Sequence, residues 1–202
     1  MLKKVSKLTF VSILTIALLF PASSLAANTY TVTPGDALWK IAVKTETGVS
    51  ELVDANPQLA NPNHIYPGQK INIASNAEFS QEQEVIDLVN QEREKAGLSA
   101  LKYDWELARV AKYKSQDMKD QNYFSHDSPV YGSPFTMMQD FGINYTTAGE
   151  NIARGQGSAE QVVNAWMNSS GHRANIMSSD FTHIGVGYVE SGNYWTQMFI
   201  KK

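Results

Sequence analysis

The sequence of 202 residues contains no cysteine. The fold therefore cannot depend on disulfides, and neither thiol catalysis nor zinc ligation by thiolates is possible. Two compact catalytic motifs are absent as well: there is no His-Glu-x-x-His helix and no Gly-x-Ser-x-Gly elbow.

A run of apolar residues long enough to span a membrane is also missing at the N-terminus. The uncharged apolar stretch at residues 8–20 has 13 residues, whereas a bilayer-spanning helix needs about 20. Lys3, Lys4 and Lys7 precede this stretch, and small residues end at Ala26. The pattern predicts that residues 1–26 are a secretory signal peptide cleaved after Ala26, so that the protein meets the membrane only during export. The alternative is a retained membrane anchor.

Excess positive charge is absent too. Removal of the three lysines leaves 14 basic against 20 acidic residues, a net charge of −6 for the mature chain. Binding to nucleic acid or to anionic lipid depends on a cationic surface. The composition therefore argues against both kinds of partner.

Residues 28–74 have the pattern of a small α+β unit. Alternating polar and apolar residues at 29–33 predict a strand, and Asp36 is expected to be the N-cap of a first helix. Gly48 ends that helix, Ser50 is expected to cap a second one, and residues 70–73 form a last strand.

The residue identities in this segment indicate more than its periodicity does. The stretches Tyr30-Thr-Val-Thr-Pro-Gly-Asp-Ala-Leu-Trp-Lys-Ile-Ala, Asp54-Ala-Asn-Pro and Ile65-Tyr-Pro-Gly-Gln-Lys-Ile-Asn-Ile closely resemble the LysM family. The resemblance implies binding of peptidoglycan or a related N-acetylglucosamine glycan between two loops. The implied binding residues are Gly35, Asp36, Ala37, Leu38, Asn63, Ile65, Tyr66, Pro67 and Gly68. Trp39 is expected in the core, with a sugar platform as the alternative.

A short joint at residues 75–78 leads to a second domain, residues 79–202. Ser80 with Gln83 predicts a capping box on its first helix, and further helices are expected near Asp104, at Ser133 and at Ser158. The C-terminal part changes to strand periodicity, with a hairpin turn at residues 191–193. Helices followed by a hairpin predict an α+β fold in which helices cover an antiparallel sheet.

Five motifs in this domain resemble the bacterial branch of the CAP (SCP-like) superfamily. They are Phe124-Ser-His-Asp, Gly149-Glu-Asn-Ile-Ala, the segment from Ala165-Trp-Met-Asn-Ser-Ser-Gly-His to Ile176-Met, and His183-Ile-Gly-Val-Gly-Tyr with Tyr194-Trp-Thr-Gln. The resemblance implies an α-β-α sandwich with a cleft. Carried over by motif, His126, Glu150 and His172 lie in that cleft, while Ser169 stands where a second glutamate is expected.

The three residues admit two interpretations. Two imidazoles and a carboxylate suit zinc or another divalent metal, with His126 and His172 as ligands and Glu150 as a third. Alternatively, they hydrogen-bond to one another and hold loops against the core, because buried polar groups need partners. The intervals between them in the sequence do not decide between these interpretations.

Two functions follow. The first is a secreted protein of the cell wall or spore envelope that binds peptidoglycan through LysM, requires no cofactor, and offers its CAP cleft to a ligand or to wall or spore-coat proteins. The second is a hydrolase of peptidoglycan or peptides in which His126, Glu150 and His172 hold a metal or transfer protons. The substitution at Ser169 and the missing nucleophile motif favour binding.

Overall fold

A computed structural model describes residues 28–73 and 77–202. The predicted signal peptide, residues 1–26, lies outside the described residues. Within the described ranges, no helix has the length and apolar character needed to cross a membrane.

The first module pairs two short strands around two helices. Its elements are β1 (Asn28–Thr31), α1 (Leu38–Lys44), α2 (Val49–Asp54) and β2 (Lys70–Ile73). The strands are antiparallel, with Thr29 opposite Asn72. One buried cluster joins all parts of the module: Val32, Leu38, Ile41, Ala42, Leu52 and Ile71. The element order is the one that the sequence predicts.

Both predicted helix caps in this module are wrong. Ala37 is the N-cap of α1, and the Asp36 carboxylate instead accepts hydrogen bonds from Thr33 N and Oγ at 2.8 and 2.7 Å. Gly48 is the N-cap of α2, so Ser50 lies inside that helix. The Asp36 carboxylate is not available as a helix cap, because it bonds Thr33 and also pairs with the Lys44 ammonium at 2.8 Å.

The second module contains the larger sheet. Its elements are α3 (Ala77–Lys95), β3 (Lys102–Tyr103), α4 (Trp105–Asp120), α5 (Pro134–Asp140), β4 (Thr147–Arg154), α6 (Ala159–Met167), α7 (Ser170–Ile176), β5 (His183–Val189) and β6 (Tyr194–Lys201). The expected helix starts near Asp104, at Ser133 and at Ser158 are confirmed, and each of these side chains accepts a bond from a backbone N–H group. Because α3 begins at Ala77, Ser80 lies inside it, and the predicted capping box is wrong.

The sheet has the order β3-β5-β6-β4 and is antiparallel except for the short β3–β5 pair. One face packs on α3, α6 and α7, including Val89, Trp166 and Ile176. The other face packs on α4 and α5, including Val110 and Met138. Helices therefore cover both faces of the sheet, and the expected α+β fold is confirmed.

Two glycines of β5 let helix α4 lie directly on the sheet. A Cβ atom at Gly185 would come within 2.3 Å of Ala108 N, and one at Gly187 within 2.1 Å of Lys112 N. Any side chain at these positions would push α4 away from the strand. This close approach fixes the first half of α4 on the strand, and the loop after the helix leads to the candidate site.

Candidate functional site

The candidate site of the second module lies beside the edge strand β4, which pairs only with β6 in the sheet. The outward-facing carbonyls of this edge are occupied by side chains from the neighbouring helices. Asn175 Nδ2 donates to Glu150 O at 3.1 Å, and Trp166 Nε1 donates to Ile152 O at 3.3 Å. These bonds hold α6 and α7 along the edge and so form one wall of a cleft.

The central contact of the site joins His126 to Glu150. His126 Nδ1 lies 2.6 Å from Glu150 Oε1. The carboxylate is nearly buried, with 7% of its residue surface exposed, whereas about half of the imidazole is accessible. The hydrogen bond occupies Nδ1 and therefore directs the other ring nitrogen, Nε2, away from Glu150.

The pKa values of this pair follow from the same contact. The hydrogen bond to Glu150 raises the pKa of His126, and burial opposes the rise. Burial raises the pKa of Glu150, while the hydrogen bond from His126 and the charge of Lys114 act in the opposite direction. A buried carboxylate without a partner would be costly. A protonated His126 beside Glu150 reduces this cost, and the carboxylate in turn stabilises the protonated ring.

A buried lysine positions the loop that carries His126. Lys114 Nζ donates to His126 O at 2.7 Å and to Tyr123 OH at 3.0 Å. Tyr123 OH and Ser128 Oγ both donate to the carboxylate of Asp117. Burial lowers the pKa of Lys114, and the charge of Glu150 partly restores it.

Sequence reasoning missed this supporting network. A signal was present, because Lys114 stands four residues after Val110 and four before Met118, on the apolar face of α4. A lysine in the middle of such a stripe must find polar partners inside the protein. Its position therefore marks a buried charged cluster.

His172 comes from α7, on the other side of the cleft. Its backbone carbonyl accepts a bond from Asn151 Nδ2 at 3.1 Å, and Asn151 in turn bonds Gln197 and Asn175. Burial lowers the pKa of His172, and the charge of His126 lowers it further. This amide chain fixes α7 against the sheet.

His126 and His172 line the same cleft, which has a volume of about 620 Å³. Glu150 contacts the site from behind, through His126. The structure therefore brings together the three residues that the CAP resemblance indicated. Ser169, at the N-cap of α7, also lines the cleft and adds no carboxylate there.

The side chains present do not fit a metal site with three protein ligands. No three His, Asp or Glu side chains within residues 28–73 and 77–202 are grouped so that they could hold a metal ion. Glu150 binds the ring of His126, as an outer-shell partner of a histidine does. Zinc binding by His126 and His172 alone stays a prediction.

The predicted glycan loops of the first module lie at one end of its small sheet. Val32 N donates to Gln69 O at 2.9 Å, and Gly68 N donates to Val32 O at 2.8 Å. These bonds attach the second loop to the chain that leads from β1 into the first loop. Gly35 and Gly68 have φ values of +87° and +85°, which favour glycine.

The predicted glycan-binding residues have different surroundings. Tyr66 is 68% exposed, whereas Leu38 belongs to the core and can offer only its backbone to a sugar. Hydrogen bonds from Lys44, Thr33 and Tyr30 hold the pKa of Asp36 well below its usual range, so this carboxylate organises the first loop. Gly35, Asn63, Pro67 and Gly68 are exposed, and Ala37 and Ile65 are half-buried.

The expectation that Trp39 is buried is wrong. Its residue surface is 60% exposed. Lys40 Nζ lies 5.7 Å from the centre of the Trp39 ring and donates to Gly35 O at 2.8 Å, which places the indole beside the first loop. Helical spacing alone did not distinguish it from Leu38, its buried neighbour.

Comparison with known proteins agrees with both parts of this architecture. Residues 86–199 match the cysteine-rich secretory protein family, CAP, and residues 30–74 match the LysM domain. The chain belongs to the CAP family. Its CAP domain follows a LysM domain, as the motifs indicated.

Similar proteins are found for each domain. The chain is 64% identical over 121 residues to the uncharacterized protein YkwD of Bacillus subtilis (strain 168). The aligned residues are 60% of this chain and 47% of YkwD. The chain is also 48% identical over 46 residues to an endolysin of Bacillus phage B103. These residues are 23% of this chain and 18% of the endolysin. The chain thus spans less than half of either relative.

A solved structure supports the fold of the CAP domain. An extracellular protein containing an SCP domain from Bacillus anthracis str. Ames is 36% identical and superposes with a TM-score of 0.60. The superposition covers 67% of this chain and 47% of the other. The resemblance therefore extends from the motifs to the arrangement of helices and strands.

Proposed function

We propose that this protein is exported, binds peptidoglycan in the cell wall through its LysM domain, and presents the CAP cleft there to a ligand. The observation that carries the proposal is the exposure of Trp39 and Tyr66 beside the two loops of the LysM domain. Sugar rings bind to exposed aromatic faces, and loop backbone supplies donors and acceptors for acetamido groups. The match to part of a phage endolysin gives further support.

The CAP cleft favours binding over hydrolysis. Ser125 and Ser169 line it, but among the described residues no hydrogen bond joins either hydroxyl to His126 or His172. An activated serine nucleophile needs such a bond. The role we assign to His126 and Glu150 is to hold a positive charge at the cleft for a ligand or for a wall or spore-coat protein.

One observation keeps hydrolysis as a second candidate. Glu150 fixes His126 through Nδ1, which is how a carboxylate orients a histidine that acts as a general base. In that case His126 would accept a proton from an attacking water, and His126→Ala would abolish the activity.

Sedimentation with purified peptidoglycan tests the proposal. We expect the mature protein to sediment with the wall material and Tyr66→Ala to lower the bound fraction severalfold, because weak single modules depend on each contact. Phe135→Ala is the matched control, since this ring is also exposed but belongs to the CAP domain. Equal losses in both variants would contradict the role of LysM.

The same samples distinguish binding from hydrolysis. We expect no soluble wall fragments above the buffer level, with or without added zinc, for the parent protein, His126→Ala and His172→Ala. Fragments released by the parent protein but not by His126→Ala would establish the hydrolase instead. Metal analysis of the purified protein tests the two-histidine zinc site directly.

A further inference from the structure

The CAP cleft contains an arginine that is held in place without a carboxylate partner. Arg154 is the last residue of β4, and it shares a face of the strand with Glu150 and Ile152 because side chains alternate. Its guanidinium lies 4.7 Å from the ring centre of Tyr194, the residue opposite it on β6. In the described part of the chain, no ion pair of Arg154 is found.

A second residue of the cleft lining has a polar atom without a partner. Gln156 Oε1 is buried and has no hydrogen-bond donor among the described residues. The backbone of Gln156 is fixed, since its carbonyl accepts a bond from Trp195 Nε1 at 2.7 Å. A buried acceptor without a donor is costly. A ligand that brings an N–H group to this oxygen would remove that cost.

Arg154 supplies the positive charge in the cleft lining that can meet an anion. His126 also lines the cleft, but its charge is paired with Glu150, and burial lowers the pKa of His172. Asp127 is the acidic side chain of the lining. The carboxylate of Glu150 is already hydrogen-bonded to His126. This arrangement contrasts with the chain as a whole, whose formal charge is −3. The apolar part of the lining includes Phe124, whose ring is half-exposed.

We infer that the cleft binds the carboxyl-terminal end of a short peptide. Arg154 binds the terminal carboxylate, Gln156 accepts the N–H of the last amide, and Phe124 contacts the last side chain. A peptide terminus offers a carboxylate and an amide N–H attached to the same Cα atom, and guanidinium binds carboxylates through paired hydrogen bonds. The inference rests on the proposed ligand-binding role of the cleft and names its ligand class.

The test uses two peptides that differ in one group. Acetyl-Ala-Ala-Ala with a free carboxylate and the same peptide with a C-terminal amide are titrated into isotope-labelled mature protein, and the shifts of cleft residues are followed by NMR. We expect the acid to bind about tenfold more tightly than the amide, the range for one hydrogen-bonded charge. Equal binding, or no binding of either peptide, would overturn the inference.

Variants assign the two contacts separately. Arg154→Gln should remove the preference for the acid, whereas Arg173→Gln, an exposed arginine of α7 outside the cleft lining, should keep it. Gln156→Leu should weaken the binding of both peptides to the same extent, because it removes the acceptor for the amide N–H. A full preference retained in Arg154→Gln would contradict the assignment.

A sugar acid serves as the competing ligand. If sodium glucuronate binds the cleft more tightly than the peptide acid, carboxylate recognition is not directed at peptides, and the inference fails. Wall sedimentation depends on the LysM domain and is measured independently. A protein that sediments with peptidoglycan but does not prefer the peptide acid would refute this inference alone.

Discussion

The two domains differ in where they keep their polar and apolar side chains. The LysM domain exposes Trp39 and Tyr66 and, among the described residues, has one buried polar residue, Asn56. The CAP domain buries a charged set that includes Lys114 and Glu150. A small domain has too little interior to compensate buried charges, whereas a larger one can surround them with partners. The surface that we propose for recognition is therefore external in LysM, whereas in CAP it is supported by buried side chains.

Asn56 shows what a single buried polar group does in the small domain. Its side-chain amide donates to Leu52 O at 2.7 Å and to Asn72 O at 2.8 Å, and its oxygen accepts from Asn72 N at 2.8 Å. These bonds connect α2 to β2. The polar group is fully used inside the fold and leaves nothing for a ligand, in contrast to Glu150, whose second oxygen has no partner in the described residues.

The largest effect that separates the domains is expected at two tryptophans. Trp166 is 1% exposed, and its indole N–H is bonded to Ile152 O. Trp166→Ala should lower the free energy of unfolding of the CAP domain by about 3–5 kcal/mol, the range for a large buried aromatic. Trp39→Ala, on the exposed ring of LysM, should change stability by less than about 0.5 kcal/mol. Urea unfolding followed by circular dichroism measures both, and similar losses would contradict the contrast.

A smaller effect is expected on the charged pair of the CAP cleft. Glu150→Gln removes the group that raises the pKa of His126, so the pKa of His126 should fall towards the ordinary value of about 6.5. With less charge on His126, the pKa of His172 should rise. NMR titration of the two ring signals measures these opposite shifts. Asp127→Asn is the control, because its charge is the weakest contribution to His126.

The pH dependence of stability follows from the direction of the shift. Because folding raises the pKa of His126, its contribution is fully present below the unfolded value of about 6.5 and is lost as the pH rises through the folded value. We expect this contribution to be at most about 1 kcal/mol, because the ring is half-exposed and solvent screens the pair. If the stability of Glu150→Gln changed with pH as much as that of the parent protein, the pair of His126 and Glu150 would not be the source of the pH dependence.

Several features could be predicted from the sequence because they depend on local patterns or complete motifs. The caps at Ser133 and Ser158 and the C-terminal hairpin are of this kind. Strand β4 was missed, because Gly149-Glu-Asn interrupts any alternation and only the packing of α6 and α7 makes it a buried edge. Helix α7 was missed as well, since Ser170-Gly-His has no helical apolar period. The motif match located the three site residues, but their hydrogen bonding required the tertiary structure.

The smallest expected effect concerns the contact between the domains. Arg109 of α4 lies 3.1 and 3.4 Å from the two carboxylate oxygens of Glu51 on α2, and Ser50 Oγ lies 2.7 Å from Tyr113 OH. A Cβ atom at Gly48 would collide with both members of the ion pair. A partly exposed pair of this kind stabilises by about 0.2–1 kcal/mol. It can therefore orient the two domains without adding much to the stability of either.

NMR relaxation measures this contact better than unfolding does. In the parent protein the two domains should tumble with one correlation time, and Glu51→Lys should separate their values because two cations then face each other. Combining Glu51→Lys with Arg109→Glu reverses the pair and should restore common tumbling, while Asp54→Lys, an exposed change on the same helix, should have no effect. Added salt should loosen the parent contact, since screening acts on exposed charges. Separate tumbling in the parent protein would show that the differently built LysM and CAP domains also move independently.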